Sequence, residues 1–392
     1  MTQISKKILI FSTAYFPFVG GAEVAVKEIT DRISDMEFHM ITARMDKKLP
    51  KQEKIGNITV FRIGIGHPKI DKLLLAFHGH RMAGKLQRQN NYDIAWAIMA
   101  SYGALAASRF ISKERKRPLP SAKAAPRFLL TLQEGDSPEH IEKRTRFIKK
   151  QFRNIFRRAD RIQCISSYLA DWAKKMGATC PIEVIPNGVD INKFKSQKSK
   201  VKSQKLREEL KIKENEKVIL TVSRLVKKNG IEDLIKAGQY LNFPFKILIA
   251  GAGEDEEKLK NLAKELNLQN KIIFLGHIDH SELPSYYALA DVFVRPSLSE
   301  GLGNVFLEAM AAGTPVIGTP VGGIPDFLKD GETGLFCEVQ NPKSIAEKIQ
   351  LLLNNPNLAN TLTQNASQLI AQKYDWNLIA KKMQNIFEKM IK

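Results

Sequence analysis

KKILIFSTAYFPFVGGAEVAVKEITDRIS, residues 6–34, begins with a nearly continuous apolar run, turns through a proline and two glycines, and closes on an amphipathic repeat. The run reads as a strand buried on both faces, the glycines as a tight turn, and the repeat as a helix laid over the sheet. The same unit recurs as YDIAWAI, RFLLTLQ and DRIQCIS in the front half and as KVILTVS, FKILIAG, KIIFLGH and DVFVRPS in the back half, with helical patterns between them. Such alternation predicts parallel sheets covered on both faces. At 392 residues the chain is long enough for two such domains, each with its own core. The expected fold is therefore α/β, with doubly wound domains over residues 1–192 and 214–373 joined by a basic linker at 193–213, KFKSQKSKVKSQKLREELKIK. Residues 374–392 place Trp376, Ile379, Ala380, Met383, Phe387 and Met390 on one helical face, a stripe that must dock on one of the two domains.

A hydrophobic fraction of 43% excludes disorder as the dominant state. The formal net charge is +20, and it is uneven: residues 1–192 hold 33 basic and 18 acidic side chains, 193–213 hold 9 and 2, and 214–392 hold 19 and 21. A field of one sign on the front half and linker points to an anionic partner such as a lipid surface, a nucleic acid or a phosphorylated substrate, or else to a solvated lysine-rich surface. No aromatic-rich basic motif or zinc spacing supports nucleic acid. Cys164, Cys180 and Cys337 lie far apart without a C-x-x-C pair, which fits a reducing cytoplasm and indicates no disulfide framework. The start has two lysines and a short apolar run, but Tyr15, Phe16 and Pro17 stand where a cleavage site would be, so it reads as a strand. The longest uncharged stretch, Ile94 to Ser108, is too short to span a bilayer, so any membrane contact would be peripheral.

Ligands in open α/β sheets gather outside the carboxyl ends of the strands, and two facing domains would make a cleft lined by both sets of loops. Three loops there carry chemistry. Gly20 and Gly21 let the backbone approach a phosphate at a helix start, though plain turns use glycines too. Ser223-Arg224-Leu225-Val226-Lys227-Lys228-Asn229-Gly230 offers three cations, suited to a diphosphate or to a solvated turn. In Arg295-Pro296-Ser297-Leu298-Ser299-Glu300-Gly301-Leu302-Gly303-Asn304-Val305-Phe306-Leu307-Glu308 a strand ends at the proline and a helix begins near Asn304. Glu308 then sits one turn into an apolar helix with no Lys or Arg at i±3 or i±4, where a carboxylate must be paired or bind hydroxyls. The Gly251-Ala-Gly253 turn lacks the third glycine of a dinucleotide fingerprint and is followed by acidic residues, which disfavours a nicotinamide-dependent oxidoreductase. His277, Asp279 and His280 are read as a loop beside a nucleotide base in preference to a metal site, and His78 and His80 as surface or core residues.

The Glu300 to Glu308 spacing resembles the E-x7-E motif of the retaining nucleotide-sugar glycosyltransferases of family 4, the glycosyl transferases group 1. The resemblance runs in order through Gly20-Gly21, Ala159-Asp160 with Ser166, Pro186-Asn187-Gly188-Val189-Asp190, Ser223-Arg224-Leu225-Val226, Gly251-Ala-Gly253, Gly276, Gly322-Gly323-Ile324-Pro325-Asp326 and Gly331-Glu-Thr-Gly334-Leu335. It implies two facing Rossmann-like domains of the glycosyltransferase B architecture, with the last helix crossing back to the first. It also implies that Glu308 holds the ribose hydroxyls, that Glu300 contacts the transferring sugar, and that the amides of Gly303, Asn304 and Val305 reach sugar and phosphates. Arg224 and a following lysine would neutralise the diphosphate, the Gly20-Gly21 backbone would complete the phosphate site, and the base would meet backbone from Gly276 to Ile278. No metal or other cofactor is implied beyond the uridine or guanosine diphosphate sugar itself.

Two positions depart from the family. Asn229 stands where the lysine preceding the glycine is usual, so Lys228 is assigned its role. Gln133, Glu134 and Asp136 stand where many members carry a histidine after the strand RFLLTLQ. These three are assigned to the acceptor side; Glu134 or Asp136 orients the acceptor, acts as a base, or caps the following helix. The departures also admit a binding protein that keeps the fold without catalysis. Residues 144–158, RTRFIKKQFRNIFRR, read either as a basic amphipathic helix lying on an anionic membrane or as a core helix of the first domain. Since the first domain takes the acceptor in this family, the expected acceptor is a lipid-linked glycan or glycolipid at the inner face of the cytoplasmic membrane.

Overall fold

Apolar strands of four to six residues need partners on both edges and cover on both faces, and the chain supplies them twice. The computed structural model describes residues 6–117, 124–195 and 200–392, and the chain divides into two units, Met1–Asn187 with Trp376–Lys392, and Gly188–Asp375. In the first unit the strands are β1 (Lys6–Phe11), β2 (Met36–Ala43), β3 (Gln52–Ile55), β4 (Ile58–Ile63), β5 (Ile94–Ile98), β6 (Arg127–Leu132), β7 (Arg161–Cys164) and β8 (Ile182–Val184). They lie in the order β3-β4-β2-β1-β5-β6-β7-β8, parallel except for the β3–β4 pair. Helices α1 (Gly21–Asp31), α2 (Pro68–Asn90), α3 (Tyr102–Glu114), α4 (Pro138–Arg144), α5 (Lys149–Arg158) and α6 (Ser167–Lys175) connect them.

The second unit contains α7 (Ile191–Lys195) and α8 (Lys200–Glu209), then β9 (Lys217–Val222), β10 (Phe245–Ala250), β11 (Ile272–Gly276), β12 (Val292–Arg295), β13 (Val316–Gly318) and β14 (Leu335–Phe336). Its sheet runs β11-β10-β9-β12-β13-β14, all parallel. Helices α9 (Ile231–Ala237), α10 (Glu256–Glu265), α11 (Leu283–Leu289), α12 (Asn304–Ala312), α13 (Pro342–Asn354) and α14 (Pro356–Lys373) belong to it as well. In each sheet the strand order reverses beside the first strand, between β1 and β5 and between β9 and β12. Loops leaving two adjacent strands at such a point diverge and leave a crevice, which is where ligands bind in this class of fold.

Register is pinned by one repeated device. An aspartate just before a strand accepts the N–H of the second residue of the neighbouring strand: Asp93 from Lys7 at 2.9 Å, Asp160 from Phe128 at 2.7 Å and Asp291 from Val218 at 2.7 Å. Each carboxylate satisfies a strand-end donor that would otherwise be unpaired, and so fixes where the parallel pairing starts. Asp160 also ion-pairs with Arg115, which accounts for the Ala159-Asp160 motif in structural terms.

The C-terminal stripe forms α15 (Trp376–Ile391) and packs on the first unit, where Trp376, Ile379, Met383, Phe387 and Met390 join Val26, Ile29, Phe38 and Trp96 in one core. Phe387 lies edge-on to Trp96 and Phe38, with centroids 5.1 and 6.2 Å away, and Lys6 reaches Glu388 at 3.6 Å.

Two sequence expectations change. The chain enters the second unit at Gly188, not after residue 192, and most of the supposed linker is helical: Phe194 is buried against Tyr287, and α8 packs on α11, while residues 196–199 lie outside the described residues. Composition alone misplaces the boundary because one buried phenylalanine outweighs its lysine neighbours. The 144–158 stretch is broken into the end of α4, a 3-10 turn and α5, whose Phe152, Ile155 and Phe156 are buried, the two phenylalanines beside Trp172. The core-helix alternative therefore holds for α5, whose apolar face is already covered.

Phe387→Ala removes an aromatic from the first unit's core and is expected to cost about 3–5 kcal/mol. Urea unfolding should show the first unit's transition moved to lower denaturant, with that of the second unchanged.

Candidate active site

The loop leaving β9 and the loop leaving β12 are joined into one body. Lys228 O accepts from Leu298 N at 2.7 Å, and Gly230, at φ +69°, packs so closely on Pro296 that a Cβ would stand 1.9 Å from its carbonyl oxygen. Only glycine fits there. Asn229 is buried; its Nδ2 donates to Arg224 O at 2.6 Å and its Oδ1 accepts from Arg295 Nη2 at 2.8 Å. Arg295 Nη2 also lies 2.7 Å from Glu300 Oε2, an ion contact without hydrogen-bond alignment. A continuous path thus runs from the Arg224 backbone through Asn229 and Arg295 to Glu300. Sequence reasoning saw Asn229 as a missing lysine and did not single out Arg295; the signal was a guanidinium at the end of an otherwise apolar strand.

Glu300 is held from behind as well. Its carbonyl accepts from Gly323 N at 3.1 Å, and a Cβ on Gly322 (φ +57°) would fall 1.7 Å from that oxygen, which gives the Gly322-Gly323 pair its structural reason. Three buried polar atoms at this strand end, Arg295 Nε, Ser297 Oγ and Glu300 Oε2, have no hydrogen-bond partner among the described residues. Buried polar atoms are normally satisfied, so such a cluster at one strand end is unusual.

α12 starts from Gly303 as N-cap and presents Glu308 in its second turn, buried. Both carboxylate oxygens have protein donors. Tyr287 OH donates to Oε2 at 2.9 Å, and His280 Nε2 lies 3.1 Å from Oε1. Lys193 Nζ approaches His280 Nδ1 at 2.7 Å; with the ammonium donating there, the ring proton resides on Nε2 and points at Glu308. Phe194 packs its ring against both His280 and Tyr287. The hydroxyl of Tyr287, fully buried beside this carboxylate, is pushed well above its ordinary pKa by desolvation and then by the charge of Glu308. A carboxylate has about four acceptor positions, so each oxygen keeps one beyond its protein donor. His280 thus serves Glu308, while the exposed His277 lies 3.8 Å from Asp279. Gly276 ends β11 at φ +67° with open space where a Cβ would stand, and Ile278 is half-buried two residues on.

The first-unit candidates sit at the carboxyl ends of their own sheet. Gly20 N donates to Glu23 Oε2 at 2.9 Å, so this amide already has a carboxylate partner that a phosphate would have to displace; burial raises the pKa of Glu23. Gln133 Oε1 accepts from Asn187 Nδ2 at 3.2 Å. Glu134 does not cap a helix: the N-cap of α4 is Ser137, which accepts from His140 N, and Asp136 lies 3.8 Å from Arg144. Instead Glu134 is buried, accepts from Ala100 N at 2.5 Å through Oε1, and leaves Oε2 without a hydrogen-bond partner. Desolvation pushes its pKa up to about 7, with a further rise from the charge of Asp136, against a lowering by the Ala100 N–H.

Two family models match the chain, glycosyl transferases group 1 over residues 202–369 and glycosyltransferase family 4 over residues 19–193. An uncharacterized glycosyltransferase of Methanocaldococcus jannaschii is 27% identical over 390 residues, 99% of each chain. The GDP-mannose-dependent alpha-(1-6)-phosphatidylinositol monomannoside mannosyltransferase of Mycobacterium tuberculosis is 30% identical over 246 residues, 59% of this chain and 63% of that protein. Among solved structures, an Anabaena protein crystallised with UDP and glucose is similar in fold, with a TM-score of 0.79 at 21% identity over 98% of this chain and 100% of that one. With both halves matched and the E-x7-E glutamates set at the switch point of the second sheet, the protein belongs to the group 1, family 4 glycosyltransferases, retaining and metal-independent enzymes of glycosyltransferase B fold that transfer a sugar from a nucleotide-sugar donor.

Proposed function

We propose that the enzyme moves a hexose, with retention, from a uridine or guanosine diphosphate sugar to a hydroxyl of a lipid-linked glycan or glycolipid, in cell-envelope polysaccharide synthesis at the inner face of the cytoplasmic membrane. The observation that carries the chemistry is the path from Arg224 through Asn229 and Arg295 to Glu300 at the switch point. A departing diphosphate needs positive charge more than a protonating acid. Arg224 and Lys228 supply that charge, and the leaving phosphate accepts the proton of the attacking hydroxyl on the face where the new glycosidic bond forms. Glu300 orients the transferring sugar, and Gly303, Asn304 and Val305 present amides at a helix start to sugar and phosphate. Glu308 takes the ribose diol with its remaining acceptor positions. The backbone of Gly276 and Ile278 meets the base, and Gly20 and Gly21 offer backbone amides suited to a phosphate. On the acceptor side Gln133, Glu134 and Asp136 orient the hydroxyl. The lipid-linked acceptor is supported by the basic excess of the front half and by a relative named as a phosphatidylinositol monomannoside mannosyltransferase. No helix among the described residues is long and apolar enough to cross a membrane.

Release of UDP or GDP from a panel of nucleotide hexoses, with bacterial lipid extract as acceptor, tests this reading. Glu300→Gln and Arg224→Ala should each slow release about 10²–10³-fold, the range seen when one group that stabilises developing charge is removed. Wild-type rates in both variants would remove the site assignment, and release indifferent to lipid would remove the acceptor.

Arg295 should act as a positioning residue whose charge is interchangeable with a lysine at 229. Arg295→Leu leaves Asn229 and Glu300 without their partner and is expected to lower kcat by about tenfold or more, as for the loss of a buried charged hydrogen bond. Asn229→Lys alone sets two cations together and lowers kcat as well, whereas the double variant Asn229→Lys/Arg295→Leu recovers most of it. Additive losses in this cycle would exclude the exchange.

Glu134 has a folded pKa near 7 against 4.5 for the free side chain, so the folded protein retains a proton that the unfolded chain releases. Its contribution to stability therefore falls as pH rises from about 4.5 to about 7, by at most about 3 kcal/mol. Glu134→Gln should raise Tm above pH 7 and leave it near wild type below about pH 4, and it should flatten the pH profile of acceptor-dependent turnover near neutrality. A Tm difference independent of pH would show that Glu134 does not titrate there.

A further inference from the structure

The Pro186-Asn187-Gly188-Val189-Asp190 motif closes on Asp190, just past Gly188 where the chain enters the second unit. Asp190 precedes α7 and fixes its first turn: Oδ1 accepts from Lys193 N at 3.0 Å, and the carbonyl oxygen accepts from Phe194 N at 3.2 Å. The turn so held directs two adjacent side chains to the same neighbours. Phe194 is buried, with its ring centroid 5.9 Å from that of His280 and 5.7 Å from that of Tyr287. Lys193 Nζ lies 2.7 Å from His280 Nδ1, and an ammonium, which only donates, needs a ring nitrogen without a proton at that distance. The ring proton is then on Nε2, which lies 3.1 Å from Glu308 Oε1. Lys193, His280 and Glu308 thus form an unbroken hydrogen-bonded chain from α7 to α12. His280 has 48% of its side chain exposed, so packing alone does not hold its ring; Lys193 on Nδ1 and Phe194 beside the ring do.

Tyr287 closes the other side of Glu308. It is fully buried, its carbonyl oxygen accepts from Thr314 Oγ1 at 2.8 Å, and its hydroxyl donates to Glu308 Oε2 at 2.9 Å. The last torsion of a glutamate is broad, and one donor on each oxygen removes that freedom. What remains is one acceptor position on each of two oxygens held at a set spacing, the pattern that a vicinal diol fills with one hydroxyl per oxygen. A sugar with a single hydroxyl there leaves one position of a buried carboxylate empty, which costs binding.

We propose that Lys193, His280 and Tyr287 determine donor specificity as positioning residues: by locking the Glu308 carboxylate they make the enzyme select a ribonucleoside diphosphate over its 2′-deoxy counterpart. The inference rests on the assignment of Glu308 to the ribose diol. Calorimetric titration of the full-length protein with UDP, dUDP, GDP and dGDP gives a ribo-to-deoxy affinity ratio for whichever base binds more tightly. Wild type should bind the ribo form about 10–100-fold more tightly, the range for one hydrogen bond to a charged group in a buried site. His280→Phe keeps a ring against Phe194 but has no nitrogen, and Tyr287→Phe lacks only the hydroxyl. Each should lower the ratio about tenfold through weaker binding of the ribo form, with the deoxy form unchanged. His280→Gln, which retains a donor and an acceptor, should keep the ratio within about twofold of wild type, and Lys193→Met should lower it about threefold. A ratio unchanged in His280→Phe, or lost equally in His280→Gln, overturns the proposal, since packing alone would then hold the site. Glu308→Gln separates this outcome from failure of the ribose assignment. If Glu308→Gln keeps the wild-type ratio, or if wild type binds ribo and deoxy forms alike or binds neither UDP nor GDP, the assignment itself fails. If Glu308→Gln abolishes the ratio while His280→Phe and Tyr287→Phe keep it, the assignment stands and the positioning role is excluded.

Discussion

The Arg295 guanidinium is the charge on which the strand-end loops of the second unit depend. It is buried at the end of a central strand, where an unmatched cation would be costly, and it is matched by an amide oxygen from one loop and a carboxylate from the next. Because Asn229 spends its other end on the Arg224 carbonyl, the position of Arg224 is set by the same cation that faces Glu300. Backbone bonds from Leu298 to Lys228 and the close approach of Gly230 to Pro296 then make the two loops one rigid body. A chain that lacks a lysine at 229 thus still holds a buried cation against Glu300 from the neighbouring strand.

Much of this architecture was legible in the sequence because it rests on period and spacing. Strands buried on both faces are apolar runs, the α15 stripe repeats at helical intervals, and Glu300 and Glu308 lie on one loop and the helix it enters. What escaped depends on partners distant in the chain. Glu308 is matched by Tyr287 and His280, 21 and 28 residues away on other elements, and no local rule connects them. The linker and the 144–158 stretch misled for one reason: lysines and arginines dominate their composition, whereas a few aromatic side chains, Phe194 in one and Phe152 and Phe156 in the other, decide where the segments pack. Asp136 and Glu134 both looked able to cap α4, yet Ser137, next to the helix, does so, which frees Glu134 to face inward.

The charge asymmetry acquires a structural meaning in the same way. Acidic and basic residues nearly balance over 214–392, and there the decisive cations are few and placed at strand ends. The excess over residues 1–192 includes arginines that pair with carboxylates and others, among them Arg44, Arg109 and Arg158, that are held by carbonyl or hydroxyl oxygens. Net charge counts both groups alike, but only the unpaired one produces a field that a ligand can use.

Two buried glutamates show how environment divides labour between groups of the same chemistry. Glu308 has a donor on each oxygen, so it is held as an acceptor with lone pairs left for hydroxyls, and the tyrosine that donates to it is pushed away from ionising. Glu134 has one oxygen on the Ala100 N–H and the other without a hydrogen-bond partner, so burial dominates and the carboxyl is brought to the point of holding a proton near neutrality. The same carboxyl chemistry is thus held as a fixed acceptor in one place and brought to titrate near neutrality in the other.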